Sequence, residues 1–176
     1  MTTIDLRNLL NQGLNTMGYA GSVGYAGSAA PKGPAFSAYP TSNVTQTIAA
    51  SGTQQKVLFQ QTEYDTNSNF AGSKFTPTVA GYYQLNATVR LDGGNGTSEN
   101  MIVIWKNGAE YKRGWNSSGT QFASSFWSMS VSTTAYANGT TDYFEVYVQH
   151  GNASSVTVTV AGANITYFNG CMLRAA

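Results

Sequence analysis

The stretch Phe75-Thr76-Pro77-Thr78-Val79-Ala80-Gly81-Tyr82-Tyr83-Gln84-Leu85-Asn86-Ala87-Thr88-Val89-Arg90-Leu91 decides the fold class. Past its proline and glycine, Leu85, Ala87, Val89 and Leu91 alternate with Gln84, Asn86, Thr88 and Arg90. A period of two sends successive side chains to opposite sides of a β-strand, whereas a helix needs apolar residues three and four apart. The alternation returns at Ile102 and Ile104, at Trp127, Met129 and Val131, at Phe144, Val146 and Val148, and at Val156, Val158 and Val160. Val57-Leu58-Phe59 precedes these runs, and the stretch from Tyr167 to Leu173 closes them. Turn signals separate them: the Gly93-Gly94-Asn95-Gly96 loop, Asn107-Gly108 after Lys106, and Asn138-Gly139. Short strands at this spacing predict an all-β antiparallel sandwich or jelly roll.

Composition narrows the function classes. Charged residues make up 10% of the chain, against about 25% in an average globular protein. A surface so poor in charge repels its own copies weakly, which favours self-association. The formal net charge of +1 gives no reason to expect a nucleic-acid or membrane partner. Lys106, Lys112 and Arg113 come nearest to a basic cluster and read as a solvated face. No run reaches the roughly 18 apolar residues of a membrane span.

Cys171 is the single cysteine, so no intrachain disulfide can form. In its apolar run it reads as a small hydrophobe. The start Met1-Thr2-Thr3-Ile4-Asp5-Leu6-Arg7 lacks the pattern of a secretory signal, so synthesis in a reducing cytoplasm is expected. Asn-X-Ser/Thr triplets begin at Asn43, Asn86, Asn95, Asn116, Asn138, Asn152 and Asn164, and they read as a by-product of composition.

Three segments follow. Residues 1–17 read as an anchor, a short helix capped by Thr3 or Asp5 with Ile4, Leu6, Leu9, Leu10 and Leu14 roughly on one stripe. Residues 18–34 carry glycine at every third position, Gly18, Gly21, Gly24 and Gly27. Only glycine fits where three extended chains crowd one axis, so this period points to three-chain association. Four triplets without proline are too few for a self-sufficient triple helix, and a flexible linker docking Tyr19 and Tyr25 is the other reading. Residues 35–176 form the β-rich head.

The head resembles a known family. Ala35-Phe36-Ser37-Ala38 opens it, followed by Val57-Leu58-Phe59, Asp65 and Phe70, then Phe75-Thr76-Pro77 and Gly81-Tyr82-Tyr83. Lys106-Asn107-Gly108 stands at its middle, and Thr166-Tyr167-Phe168-Asn169-Gly170-Cys171-Met172-Leu173 closes it. This order resembles the C1q/TNF-like globular head, where Phe-Ser-Ala, Phe-Thr-x-x-x-x-Gly-x-Tyr and a terminal Phe-x-Gly run recur. The resemblance implies a jelly roll that assembles as a homotrimer, with Tyr143, Tyr147 and Phe168 as candidate subunit contacts. A glycine-repeat stalk before the head is also the family's usual arrangement. The Gly-Tyr-x-Gly-Ser repeat further resembles virion proteins of tailed bacteriophages.

Catalytic equipment is sparse. His150 is the only histidine and reads as a solvated turn residue, with no Cys/His cluster for zinc. Asp92 with the Gly93–Gly96 loop, or Asp142, offers oxygen ligands for calcium, though an Asx turn is the simpler use of either. No enzyme activity, cofactor or metal is expected. The expectation is a virion-surface structural protein of a tailed phage: a fibre, a spike or a capsid decoration. Residues 1–34 would hold it to other virion proteins. The alternative is a receptor- or carbohydrate-binding module acting in host attachment. There, loop-tip residues Trp115 and Asn116 would contact a host-surface glycan, with Trp115 as stacking platform. Burial of Trp115 between strands or subunits is the competing reading.

Overall fold

The alternating stretch forms β7 (Gly81–Asp92), and its burial alternates along the whole strand. Tyr83, Leu85, Ala87, Val89 and Leu91 are all buried and point into the core. The structure, a computed structural model, describes residues 33–42, 44–50, 52–93, 99–117, 126–159 and 164–176. The expected anchor helix, the glycine stalk, Gly94–Gly96 and Val160 lie outside the described residues. Gly33–Ala176 forms one compact unit.

Before β7 come β1 (Ala35–Tyr39), β2 (Gln46–Ile48), β3 (Gln55–Lys56), β4 (Gln61–Asp65), β5 (Phe70–Ala71) and β6 (Lys74–Phe75). After it come β8 (Asn100–Lys106), β9 (Ala109–Ser117), β10 (Phe126–Ala137), β11 (Phe144–Gln149), β12 (Val156–Val158) and β13 (Tyr167–Ala175). The larger sheet runs β2-β12-β7-β13-β1-β4, with β10 paired to β7. The smaller runs β5-β6-β11-β8-β9, with β3 also paired to β11. Every pairing described is antiparallel. Two antiparallel sheets packed face to face with these crossovers make a jelly roll.

Aromatic rings join the sheets at one end of the core. Phe36 of β1 stacks on Phe75 of β6 at 4.2 Å and on Phe70 of β5 at 5.0 Å, and meets Phe168 of β13 edge-on at 4.9 Å. Phe36, Phe75 and Phe168 have no exposed surface. Such pairs add roughly 0.5–1.5 kcal/mol each beyond the area they bury. Tyr83 extends the cluster against Phe75, and its hydroxyl donates to the Val79 carbonyl at 2.7 Å. Burial pushes the Tyr83 phenol up to about 12, so it remains a donor throughout the neutral range.

A two-residue turn joins β8 to β9, with Lys106 paired to Ala109. Asn107 (φ 54°) and Gly108 (φ 78°) are both left-handed, as this tight hairpin requires and as Asn-Gly tolerates best. The Asn107 amide then reaches the β10–β11 connection, accepting from Tyr143 N at 2.9 Å and donating to Asp142 at 2.7 Å. One turn residue thus binds two loops of the same end.

The Val57–Phe59 run is not laddered into a strand, although Val57 and Phe59 are buried. Its donors are met in other ways: Val57 N by the Val146 carbonyl at 2.8 Å, Leu58 N by Gln46 Oε1 and Phe59 N by Ser73 Oγ, each also at 2.8 Å. A carbonyl of β11 meets the first donor, and side chains meet the other two.

Gly170 occupies an inward position two residues after Phe168. A Cβ there would lie 2.7 Å from Leu85 Cδ2 and 2.8 Å from the Gln84 carbonyl. We expect Gly170→Ala to cost about 1–3 kcal/mol through overpacking, seen as a lower urea midpoint with an unchanged slope.

Candidate functional site

The outward row of the alternating pattern is as regular as the inward one. Across β10 and β7, Tyr136 faces Tyr82, Thr134 faces Gln84, Ser132 faces Asn86 and Ser130 faces Thr88. On the other side of β7, β13 sets Asn169 opposite Asn86, Cys171 opposite Gln84 and Tyr167 opposite Thr88. None of these residues is Asp, Glu, Lys, Arg or His.

Their side chains bond laterally. Gln84 Nε2 donates to Ser132 Oγ at 2.8 Å and to Asn86 Oδ1 at 3.2 Å, and Ser132 Oγ donates to Asn86 Oδ1 at 2.8 Å. Asn86 Nδ2 donates to Asn169 Oδ1 at 3.2 Å, and Thr134 Oγ1 donates to Gln84 Oε1 at 3.2 Å. Thr88 and Ser130 hydroxyls lie 2.9 Å apart. The result is one uncharged amide–hydroxyl net over three strands.

Aromatic residues flank the net. Tyr82 and Tyr136 are 48% and 42% exposed, with ring centroids 5.5 Å apart. At the opposite end Phe126, 50% exposed, lies under the Arg90 guanidinium at 4.0 Å. Arg90 Nε is 2.9 Å from Asp92 Oδ1, so the charge at this rim is already paired.

The smaller sheet presents a different outward face. Ile102 and Ile104 enter the core, while the alternate residues Met101 and Val103 are buried on the other side. Trp105 and Tyr147 stack there at 4.1 Å. Trp105 Nε1 donates to Gln54 at 2.6 Å, and Gln54 Nε2 donates to Glu110 at 2.7 Å. Arg113 grips Glu110 through two nitrogens, and Lys56 pairs with Glu145 at 2.6 Å. Hydrogen bonds from Arg113 and Gln54 hold the Glu110 carboxyl below its ordinary value. Burial, with Glu145 and Tyr143 nearby, raises the Tyr147 phenol. This face is closed over by its own chain.

Several expectations need correcting. Trp115 lies within β9, not at a loop tip, and packs half-buried against the core. Its place is on a strand and partly against the core instead of at a loop tip. Asn116 is exposed beside it, paired with Met101. Phe168 has no exposed surface and belongs to the core, not to a subunit contact. Tyr143 is half-buried with Lys74 Nζ 4.6 Å from its ring, and Tyr147 is on the smaller sheet. The structure does not bring these three together. Cys171 is exposed on the uncharged face, because Phe168 and Gly170 take the inward positions of β13.

His150 is 1% exposed and is no solvated turn residue. Its Nδ1 accepts from Asn152 N at 3.2 Å, so Nε2 carries the proton and donates to the Ile48 carbonyl at 3.2 Å. Both nitrogens are committed to backbone groups. Neither calcium candidate is vacant either. Asp142 accepts from Asn107, from Asn138 N at 3.0 Å and from Lys106 at 2.9 Å, so an ammonium supplies the positive charge. Asp92 is engaged by Arg90 and by Thr159 Oγ1 at 2.6 Å. Among the described residues there is no group of three or more His, Cys, Asp or Glu able to hold a metal.

The sequence signal for the net lies in the polar half of the alternation: Gln84, Asn86 and Thr88 before Arg90, and Ser128, Ser130, Ser132 and Thr134 on β10, are amides and hydroxyls.

No protein-family model matches the chain, and no curated protein matches its sequence. Its fold does match solved structures. Murine APRIL at pH 5.0 is 13% identical, with 81% of this chain and 100% of that one covered and a TM-score of 0.59. Eiger TNF from S. frugiperda is 9% identical over 82% and 96%, with a TM-score of 0.57. The globular domain of zebrafish complement 1qA protein is 15% identical over 81% and 99%, at 0.52. The head therefore has the jelly-roll fold found in TNF and C1q proteins.

The Asp142 corner carries a pH prediction. Burial alone would raise the carboxyl, but hydrogen bonds from Asn107, Lys106 and Asn138 N outweigh it and leave it below its ordinary value. A carboxyl more acidic when folded stabilises the fold above its unfolded value, and this is lost as pH falls through the folded one. Asp142→Asn should cost about 1–3 kcal/mol at pH 7. The gap to the parent should shrink below about pH 4, as urea unfolding at both pH values would show.

Proposed function

We propose that this chain is a non-enzymatic homotrimeric structural protein. Its jelly-roll head is displayed on a tailed-phage virion, as fibre, spike or capsid decoration, and residues 1–34 attach it to other virion proteins. The observation that carries the reading is the division of charge between the two outward faces. The smaller sheet is covered by its own ion pairs. The larger exposes an uncharged centre on β10 and β7 bordered by Tyr82, Tyr136 and Phe126, with charge at its edges in Arg90–Asp92, Arg174 and Glu63. Copies can meet there without like-charge repulsion, and nearly half-exposed aromatic rings supply apolar area for the contact.

The fold shared with TNF and C1q proteins supports a ligand-type or structural role over catalysis, as does the commitment of both His150 nitrogens. The glycine period from Gly18 to Gly27 supports threefold association, and the low charge and single cysteine suit a virion protein made in a reducing cytoplasm. The chain enters the head at Pro34, whose carbonyl accepts from Met172 N at 3.0 Å. The position of Trp115 within β9, half-buried against the core, weighs against the carbohydrate-binding alternative.

Native mass spectrometry of the full chain and of residues 33–176 tests the trimer. Both should run at three times the monomer mass, 18.7 kDa for the full chain; a monomeric head would overturn the reading. Detection in purified particles, with loss of attachment on removal of residues 1–34, tests the virion role.

A further inference from the structure

We infer that His150 is a proton-operated latch on the β2–β12 edge of the larger sheet: the neutral ring holds that edge closed, and uptake of a proton releases it. The chain's single histidine stands just after β11 and is 1% exposed. Three bonds tie it into two connections. Nε2 donates to the carbonyl of Ile48, the last residue of β2, and Nδ1 accepts from Asn152 N, both at 3.2 Å. Its own carbonyl accepts from Gly52 N at 3.0 Å. The Nδ1 lone pair is where a neutral ring of this tautomer takes its second proton. A proton there would set two N–H donors against each other, so the Asn152 bond has to break first.

The edge so held is short. β2 ends the sheet and pairs with β12 at three positions, Ile48 with Val156, Thr47 with Thr157 and Gln46 with Val158. β12 meets β7 at two, Thr157 with Asp92 and Val158 with Leu91, where β10 meets it at twelve. The side chains of Gln46 and Gln55 also bind this edge, to Lys56 O, Leu58 N and Ala49, but amides do not titrate. No charge answers an imidazolium here. Residues 46–54 and 149–159 contain no Asp, Glu, Lys or Arg. Charges on the neighbouring elements are engaged with other partners. Lys56 of β3 pairs with Glu145 of β11, Arg90 of β7 with Asp92, and Glu99, ahead of β8, with Gln149 and Arg113. Tyr147 of β11 is stacked on Trp105. Histidine is the side chain that ordinarily changes charge between about pH 5 and 8. A proton that binds the open edge and not the closed one draws the equilibrium towards opening as pH falls. A released imidazole takes its proton at histidine's ordinary value of about 6.5, so opening rises by up to about 30-fold from about pH 7.5 to about pH 5.

Hydrogen exchange on the full chain, at about pH 7.5 and about pH 5, reads this opening amide by amide. Protection factors at Gly52 and Asn152 should fall about tenfold or more at the lower pH, while those from Tyr83 to Val89 in β7 hold. His150→Gln keeps an amide donor for the Ile48 carbonyl and takes up no proton, so its protection at Gly52 and Asn152 should be the same at both pH values. Where that variant does not fold, the NMR signals of the parent's imidazole decide: they must titrate over the pH range in which protection is lost. Equal protection of the parent at both pH values would overturn the inference. So would a fall shared evenly by β7, the same fall in His150→Gln, or an imidazole titration that does not follow the loss.

Discussion

The register of β7 governs both the interior and the exterior of this head. β10 pairs with it along all twelve residues, while β13 and β12 follow one another along its other edge. A slip of one residue would carry Leu85, Ala87, Val89 and Leu91 out to solvent and bring Gln84, Asn86 and Thr88 into the core. The inward row therefore fixes the outward row. The amide–hydroxyl net can be held to hydrogen-bond distances because the apolar side chains beneath it admit one alignment.

The core resists such a slip at a second point. Phe36 touches Phe70 and Phe75 of the smaller sheet while meeting Phe168 of its own, so four elements share one ring. Gly170 lets β13 lie close enough for this, with Leu85 filling the space a Cβ would take. At the same end of β7, Asn107 and Asp142 tie the β8–β9 turn to the β10–β11 connection. Packing and hydrogen bonding thus set the same alignment independently, and consistency of that kind makes one fold win.

How much of this could be read from sequence depended on the range of the determining interactions. The inward rows at Leu85–Leu91, Ile102–Ile104, Trp127–Val131, Phe144–Val148 and Val156–Val158 were legible, because period two is a local property. The Asn107-Gly108 turn was legible for the same reason, since left-handed backbone is chosen by the residues themselves. His150 misled because its burial depends on the Ile48 carbonyl, about a hundred residues away in sequence. Trp115 misled because its strand turns its ring toward the core, and Phe168 because an aromatic beside polar residues can face either way. Val57 to Phe59 lost its expected ladder to Gln46 and Ser73, side-chain acceptors that no periodicity announces.

The two outward faces differ in a way burial alone would not produce. Met101, Val103, Trp105 and Tyr147 are apolar or aromatic and point away from the core, yet the chain covers them with Gln54, Glu110 and Arg113. An isolated head gains from that cover, since exposed apolar surface invites adhesion. On the larger sheet Tyr82, Tyr136 and Phe126 stay close to half exposed, with Arg90 over Phe126, Lys106 5.9 Å from the Tyr136 ring and Arg174 opposite Tyr82. One face is thus closed by the chain's own long polar side chains, while the other keeps an amide–hydroxyl centre bordered by rings. In water each of its bonds competes with a water molecule and contributes little.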